Sequence, residues 1–245
     1  MSENLKTQAQ LHEIEKWTKN KKMKLNEKKT KSMIFNFSKN NQFTTRLEMN
    51  GANLEIVKEA KLLGIILTDS LKWDKNTKEL TKKGFMRMKL LNIAAGFTKS
   101  KEDLKSIYKT FIRSVLEQSA VVWHSSLKQK NRNDLERIQK AAVRVIMGKD
   151  YTTYKNALHE LDMERLEKRR EILCLRFAKN CLKNEKVKNL FPLKNSDHKM
   201  TKRKEEKFKM KNIKTKRLQV SALPYMRKLL NKEAMEKANI LKNLN

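Results

Sequence analysis

The sequence predicts an α+β protein that is predominantly helical, in which a small antiparallel sheet near the N-terminus precedes a helical bundle. Three observations lead to this fold class. Five glycines and two prolines among 245 residues leave few chain breaks, which favours long helices. Asn50-Gly51 separates two short apolar runs, and this dipeptide supplies the positive φ angles of a β-hairpin turn. After Trp73, apolar residues recur every three or four positions, which is the period of an amphipathic helix.

The N-terminal third is predicted to hold one helix and three or four strands. Residues 2–19 fit a short helix, and the apolar residues of 33–37 alternate with period two, as in a strand. The apolar run 62–67 is too short to span a membrane and rich in β-branched residues, so we expect a strand buried on both faces. Gly64 inside that run indicates either a bulge or tight packing contact, or a place where a ligand approaches the backbone.

Four helices are predicted in the middle of the chain. In the second, Ser100 and Asp103 resemble a capping box, and the apolar residues of 104–116 follow the i, i+3, i+4, i+7 series. The first helix is expected to end at Gly96 in a left-handed conformation, and the third to stop at Gly148. The four helices cover about residues 80–95, 104–116, 133–147 and 153–182. The spacing of apolar residues in the third predicts an inward face of Leu135, Ile138, Ala142, Val145 and Ile146.

The C-terminal part begins with a basic segment. Residues 183–217 contain fourteen basic and four acidic side chains with few large apolar ones, which predicts a poorly packed linker. Residues 218–245 then predict a short docked segment and a closing helix near 224–244. The expected organisation is therefore an N-terminal part (1–73), a helical bundle (74–182), the basic linker and the C-terminal segment.

Charge is the strongest compositional feature of the chain. The net charge of +31 and an isoelectric point near 10.1 indicate a polyanionic partner, most simply nucleic acid. Lysine outnumbers arginine by 45 to 13, however, and asparagine is frequent, which an AT-rich genome also produces without selection for binding. Composition alone leaves both explanations open.

Cysteine usage and hydropathy bear on the compartment. Cys174 and Cys181 are too few and too far apart for a disulfide framework, and the polar N-terminus does not resemble a signal peptide. No window approaches the roughly 18 apolar residues of a transmembrane helix. We therefore expect a nuclear or cytoplasmic protein that does not bind a membrane.

No pattern of catalytic residues emerges from the sequence. The seven aspartates include no adjacent pair, and Asp69 and Asp74 are better explained as a turn residue and a helix N-cap than as metal ligands. His124 precedes two serines but fits the end of a helix better than a catalytic triad. Cys174, Cys181 and His198 lack zinc-site spacing. We therefore predict no catalytic residues and no bound metal or cofactor.

Several segments together resemble one protein family. Residues 25–35, LNEKKTKSMIF, are similar to the LN-x-x-KT-x-x-M-x-F segment of reverse transcriptases from LINE-type, non-LTR retrotransposons. Residues 61–67, KLLGIIL, followed by LKW, resemble the primer-grip strand that ends the palm in that family. Further blocks follow in the family's order: Ile107-Tyr108 through Ser114, Leu116 to Ser119 with Val122-Trp123, LERIQKAAVR at 135–144, Leu166 with Arg169-Arg170, and SALPYM at 221–226. The family usually has tyrosine where this chain has Gln118.

The resemblance implies the end of a palm, a thumb-like helical bundle and a basic C-terminal extension. The Tyr-x-Asp-Asp turn of the palm and the upstream endonuclease have no counterpart here, and Mg²⁺ is expected only for the full-length family enzyme. Lys29 would match the lysine near the incoming nucleotide's phosphates, and Gly64 would let the primer backbone approach. The nucleic-acid-binding residues expected from these blocks are Lys29, Thr30, Lys31, Lys61, Gly64, Trp73, Arg169 and Arg170.

Three functional hypotheses follow. In the first, the chain is a non-catalytic fragment of an RNA-directed DNA polymerase that binds RNA, DNA or an RNA–DNA hybrid through its basic surface. In the second, it completes a split or longer reverse transcriptase whose catalytic aspartates lie on missing upstream sequence or another chain. In the third, it is a helical interaction or scaffold protein.

Overall fold

A computed structural model describes residues 3–37, 46–193, 207–210, 213 and 215–243. The predicted fold class is confirmed, because the chain is mainly helical with a few short strands. The chain divides into two compact units, Met1–Asn76 and Thr77–Asn245.

The described residues of the first unit form one helix and six very short strands. Strands β2 and β3 pair antiparallel, as do β5 and β6, whereas β1 and β4 pair in parallel. The β structure is therefore divided among three two-stranded ladders rather than gathered in one antiparallel sheet. The elements are α1 (Glu3–Asn20), β1 (Lys31–Ser32), β2 (Glu48–Met49), β3 (Ala52–Asn53), β4 (Glu55–Ile56), β5 (Glu59–Leu62) and β6 (Ile65–Thr68).

The predicted hairpin at Asn50-Gly51 is confirmed. Asn50 has a φ of 49° and Gly51 a φ of 79°, which are the two positive values that a type I′ turn requires. The turn joins β2 to β3 and places Met49 in the small core of the unit. Local sequence therefore determined this feature.

Helix α1 is held to the hairpin mainly by polar bonds. The Gln8 side chain exchanges two hydrogen bonds with the backbone of Glu48, at 2.7 and 2.9 Å, and Glu15 accepts from the Asn50 amide at 2.6 Å. The sequence predicts either Trp17 or Thr18 beside Leu11 and Ile14 on one face of this helix. Thr18 is buried, whereas Trp17 and Ile14 are half exposed. The predicted helix is thus confirmed, but little of its apolar surface is buried.

The expectation that residues 62–67 form one strand buried on both faces is wrong. Leu63 and Gly64 have φ values of 48° and 84° and form the turn of a hairpin between β5 and β6. Leu62 is 57% exposed and Leu63 is 87% exposed. The physical reason is that Leu-Gly can close a two-residue turn, which divides the apolar run between two antiparallel strands.

The strand expected at residues 33–37 is also absent. Only Lys31–Ser32 pair, because their partner β4 offers two residues, and Phe35 and Phe37 remain half exposed. Alternation of apolar residues predicts a strand only where a neighbouring strand is long enough to continue the ladder.

The second unit is a helical bundle. Helix α2 begins in the first unit at Asp74 and ends at Phe97. The left-handed stop predicted at Gly96 is wrong, because Gly96 lies within the helix and does not have a positive φ. The remaining elements are α3 (Lys101–Ile107), a π-helix (Tyr108–Arg113), α4 (Ser114–Glu117), α5 (Ala120–Trp123), a 3₁₀ turn (His124–Ser126), α6 (Gln129–Met147), a 3₁₀ turn (Gly148–Asp150), α7 (Tyr154–Glu160), α8 (Leu166–Lys183), a 3₁₀ turn (Lys188–Leu190), α9 (Lys216–Gln219) and α10 (Ala222–Asn243).

Close helix packing forms the centre of this bundle. A Cβ atom added to Gly84 would lie 2.8 Å from Cδ1 of Ile138 and 3.0 Å from Cδ2 of Leu116. Helix α2 therefore approaches α4 and α6 at a point where only glycine fits without rearrangement. The N-cap half of the predicted capping box is present at the start of α3, where the Ser100 side chain accepts from the Asp103 amide at 3.2 Å. The return bond goes elsewhere, because the Ser100 amide donates to the Thr98 hydroxyl and the Asp103 carboxylate accepts from that same hydroxyl.

One long helix predicted at 153–182 is in fact two. Helix α7 ends in a Schellman motif, in which the Met163 amide donates to the Leu158 carbonyl at 2.8 Å and the Asp162 amide to the His159 carbonyl at 3.1 Å. Asp162 occupies the left-handed position, with a φ of 46°. The motif was missed because aspartate, not glycine, takes that position.

Part of the predicted basic linker packs into a core. Phe191 and Phe208 are buried with residues of α8 and α10, and the Asn231 side chain hydrogen-bonds both backbone polar groups of Phe208. The description of 183–217 as poorly packed is therefore wrong for these two aromatic residues. His198 and the rest of 194–206 lie outside the described residues.

The described helices do not have the length and apolar character of membrane spans. None of the helices in the described ranges is both long enough and apolar enough to cross a membrane. The longest, α2 and α10, both carry charged residues throughout.

Candidate nucleic-acid interface

Four cationic side chains line the outer face of α6. They lie at intervals of seven, three and four residues, so they share one face, and all four are exposed. The opposite face carries Leu135, Ile138, Ala142 and Ile146, which are buried as the sequence predicted. At 1.5 Å per residue the row extends about 21 Å. This α6 basic row consists of Lys130, Arg137, Lys140 and Arg144.

The positive charge of the α6 basic row is largely uncompensated by the part of the chain that the structure describes. Arg137 faces Asp134 at 3.8 Å, an exposed pair of small energetic value. Lys140 Nζ lies 5.4 Å from the centre of the Tyr154 ring, and the Arg144 guanidinium lies 5.4 Å from that of Tyr151. Aromatic faces orient these cations without neutralising them, so the row keeps its attraction for an anion.

A buried hydrogen-bond network fixes the orientation of α6. Tyr108 donates to Oε1 of Gln139 at 2.7 Å, and Nε2 of Gln139 donates to the Tyr154 hydroxyl at 2.8 Å and the Glu164 carbonyl at 2.9 Å. The Tyr154 hydroxyl in turn donates to Oε1 of Glu136 at 2.6 Å. Because each partner is specific in position and polarity, the network holds α6 in one rotation, with its cations outward.

Burial keeps both phenols of this network protonated. It raises the pKa of Tyr108 well above its ordinary value, and burial together with the hydrogen bond to Glu136 raises the pKa of Tyr154. Sequence reasoning missed the network. Its signal was that Glu136 and Gln139 fall on the inward side of the helix, beside Leu135 and Ile138.

Arg169 and Arg170 both form contacts within the protein. Arg169 donates to Oε1 of Glu117 at 2.9 Å but keeps 30% of its side chain exposed, so its contact with nucleic acid stays a prediction. Arg170 is completely buried, where its Nε donates to Nδ1 of His124 at 3.3 Å and its guanidinium lies 5.7 Å from the centre of the Trp123 ring. Arg170 cannot reach a phosphate in this conformation, so the expectation for it does not fit this structure. The sequence showed two charges on a helix but not that α8 turns them inward.

Burial and two neighbouring arginines keep the His124 ring uncharged. Burial, followed by the charges of Arg170 and Arg132, lowers the pKa of His124 to about 3. His124 is therefore neutral, and because Nδ1 accepts from Arg170, the ring proton lies on Nε2. The two Nη atoms of Arg170 are buried and have no hydrogen-bond partner among the described residues.

Three of the predicted residues lie together in the first unit. Lys29 and Thr30 follow a turn organised by Asn26, which accepts from the Lys29 amide at 3.0 Å through Oδ1 and from the Thr30 hydroxyl at 2.9 Å through its carbonyl. Lys29 is exposed, whereas Lys31 forms an ion pair with Glu55 across the β1–β4 ladder. Lys29 is thus the accessible cation of this group.

The other three predicted residues of the first unit differ in accessibility. Lys61 is exposed on β5 opposite Ile66, and Gly64 lies in the hairpin turn rather than inside a strand. Trp73 is buried, so its ring offers no surface on which a base could stack. Its predicted contact with nucleic acid does not fit this structure.

The residues considered for metal or thiol chemistry are also dispersed. No group of three or more histidine, cysteine or acidic side chains in the described ranges could hold a metal ion. Burial raises the pKa of Cys174 to about 12, which makes its thiol unreactive. Asp74 begins helix α2, as expected for a residue at a helix N-terminus.

Comparison with known proteins adds no assignment to this geometry. No family model, no curated protein and no solved structure matches the chain. The resemblance of its sequence blocks to LINE-type reverse transcriptases therefore stays a prediction.

Proposed function

We propose that this chain is the C-terminal part of a LINE-type reverse transcriptase and that it binds RNA or an RNA–DNA hybrid through the α6 basic row without polymerising by itself. The observation that carries the binding proposal is the row itself. Four exposed cations share one face of a helix that a buried network holds in place.

The dimensions of the row suit a nucleic-acid backbone. A row of about 21 Å matches the length of roughly six base pairs at 3.4 Å each. Contacts of lysine and arginine with phosphates position a duplex without reading its sequence. The binding is therefore expected to be non-specific and to weaken steeply with added salt, because counterions are released when phosphates are neutralised.

The sequence block with the family resemblance gains a physical explanation from this geometry. Within residues 135–144, the polar side chains Glu136 and Gln139 face inward and belong to the network, whereas Arg137, Lys140 and Arg144 face outward. One short block would thus both anchor the helix and supply three of the four cations. This division of roles supports the proposal that the block serves nucleic-acid binding.

The experiment compares two double variants of equal charge. Lys130→Gln/Lys140→Gln removes two cations from the row, and Lys228→Gln/Lys232→Gln removes two exposed lysines from α10. Binding to a fluorescent RNA–DNA hybrid is measured by anisotropy between low and moderate salt. The row variant is expected to bind about tenfold more weakly, with a log–log salt slope smaller by about two, because each phosphate contact contributes about 0.9.

Two results would contradict the proposal. The first is the absence of measurable affinity for hybrid, RNA or DNA even at low salt. The second is an equal loss in both double variants, which would mean that net charge rather than the α6 basic row drives binding. A greater loss of binding in the α10 variant than in the row variant would have the same meaning.

A second function, completion of a split polymerase, is favoured by one feature of the first unit. The β5–β6 hairpin exposes Leu62 and Leu63 and pairs with no third strand among the described residues. Such an edge is suited to pairing with a strand from another chain. The test is primer extension after adding the family's catalytic palm half in trans, and no incorporation would count against it.

A further inference from the structure

Helix α2 is apolar on two opposite faces. One face, with Leu80, Met88 and Leu91, is buried in the second unit. The opposite face carries four large apolar side chains that remain open to solvent. We call this row the α2 seam: Met86 (61% exposed), Leu90 (44%), Ile93 (60%) and Phe97 (89%). A helix that is apolar on both sides is normally covered on both sides, and here the described residues leave one side exposed.

The spacing of the α2 seam is that of a coiled coil. The intervals of four, three and four residues match positions d, a, d and a of two successive heptads. Such a strict a/d row is narrower than the broad apolar face with which a helix packs onto a globular core. The four side chains extend about 16 Å along the helix, which is three turns.

Basic residues border the α2 seam on both sides. In the same heptad frame Lys82 and Lys89 occupy g positions and Arg87 occupies an e position, and all three are exposed. Arg87 also donates through Nη1 to the Phe111 carbonyl at 2.5 Å, which holds its charge beside the seam. Charges at e and g select the partner of a coiled coil, so this seam favours an acidic one.

We propose that the α2 seam binds an amphipathic helix of another protein that carries apolar residues at a and d and glutamate or aspartate at e and g. The proposal goes beyond nucleic-acid binding, because the seam and the α6 basic row are different residues on different helices. Helix α2 is already folded by its buried face, so only the partner must become ordered on binding.

Other occupants fit the seam less well. A second copy of this chain would bring the lysines at g against the arginine at e, and these like charges repel. A nucleic acid gains little from Met86, Leu90 and Ile93, which offer no ring for stacking and no hydrogen-bond donor, so that Phe97 is the one ring of the seam on which a base could stack. An amphipathic helix on an anionic membrane keeps a polar face opposite its apolar one, whereas the side of α2 opposite the seam is apolar and buried.

The experiment uses a synthetic peptide of three heptads with isoleucine at a, leucine at d and glutamate at e and g. A second peptide, with lysine at e and g, serves as the charge control. Binding of the labelled peptides to the full chain is measured by fluorescence anisotropy. The acidic peptide is expected to bind and the basic peptide is not, because only the first complements Lys82, Arg87 and Lys89.

A matched pair of variants then tests the location. Ile93→Ser removes an apolar side chain from the seam, and Ile240→Ser makes the same change at an isoleucine of α10 that is also 60% exposed. Ile93→Ser is expected to weaken binding of the acidic peptide about tenfold, and Ile240→Ser to change it less than about twofold. Binding of the RNA–DNA hybrid is expected to be equal in both variants.

Each alternative has a defined result. No binding of the acidic peptide, equal binding of the two peptides, or no effect of Ile93→Ser overturns the proposal. If the chain binds vesicles of phosphatidylserine and phosphatidylcholine and Ile93→Ser abolishes that binding, the seam is assigned to a membrane. A dimer in sedimentation that Ile93→Ser dissociates would assign it to a second copy, and loss of hybrid binding in Ile93→Ser would assign it to nucleic acid. Any of these three also overturns the proposal.

Discussion

The two units of this protein bury very different amounts of apolar surface. In the described part of the first unit, three hydrophobic residues are buried, namely Met49, Leu54 and Trp73, whereas every helix from α2 to α8 contributes buried side chains to the second unit. Isolated two-stranded ladders have little stability of their own in water. The comparison teaches that the second unit holds its own fold, while the first depends on turns and polar bonds.

The largest expected contrast between the units comes from truncating one leucine in each. Leu135 is completely buried in α6, whereas Leu63 is almost fully exposed in the β5–β6 turn. Leu135→Ala should lower the free energy of unfolding by about 3 kcal/mol, because it removes buried methyl groups and leaves a cavity. Leu63→Ala should change it by less than about 0.5 kcal/mol. Urea unfolding followed by circular dichroism compares the two, and equal losses would break the contrast.

Acid should destabilise the second unit through His124. Its pKa is about 3 in the folded protein and near 6.5 when unfolded, so the unfolded state binds more protons between these values. The stabilisation is complete above about pH 6.5 and is lost as the pH falls towards 3, by about 2 kcal/mol between pH 7 and pH 5.

His124→Asn provides the control for this pH dependence, because its Oδ1 can still accept from Arg170 but does not titrate. Unfolding free energies of the two proteins are measured from pH 7 to pH 5. Parallel curves of free energy against pH would show that His124 does not contribute to the loss of stability in acid. The inference that its ring is neutral in the folded protein would then be wrong.

A smaller effect is expected from the network that fixes α6. Tyr108→Phe leaves Oε1 of Gln139 buried without its donor, which should cost about 1–2 kcal/mol. Tyr151→Phe changes a ring that lies beneath Arg144 at the surface, and it should be nearly neutral. Thermal melts compare the variants. A Tyr108→Phe protein as stable as the Tyr151→Phe control would mean that packing alone orients the helix.

The smallest effect is expected at two glycines, one in each unit. Gly51 has a φ of 79°, so Gly51→Ala should destabilise the β2–β3 hairpin by about 1 kcal/mol. Gly96 lies in the last turn of α2 with open space around it, and Gly96→Ala should be neutral or stabilise the helix by up to about 1 kcal/mol. Amide hydrogen exchange locates both changes in stability. A loss of stability in Gly51→Ala together with a gain in Gly96→Ala would confirm that Gly51 has a left-handed backbone conformation and Gly96 a helical one.

Sequence reasoning was accurate where the determining residues are neighbours in the chain. The Asn50-Gly51 turn, the Ser100 cap and the end of α6 at Gly148 each depend on a few adjacent residues, and each was found. The inward residues of α6 were found for the same reason, since their spacing alone defines a face. Only part of the candidate site was predicted. The spacing in residues 135–144 predicted the buried apolar face of α6, but the cations of the same block were not predicted to form one exposed row.

Errors arose where distant residues decide the outcome. The run 62–67 has the composition of a buried strand. Its sequence does not show that β5 and β6 pair only with each other among the described residues. Arg170 is another example, because its burial depends on Trp123 and His124, some 46 positions earlier in the chain. Charge on a helix predicts exposure only until the neighbouring helices are placed.

By itself, the sequence determined the helical character of this protein, its turn and cap positions and its excess of positive charge, because these follow from local geometry and composition. Tertiary structure alone decided which cations face solvent, which arginine is buried and which apolar row of α2 stays bare. The physical reason is that burial is a property of the assembled neighbours: the same side chain gains or loses contact with water according to the helices packed against it.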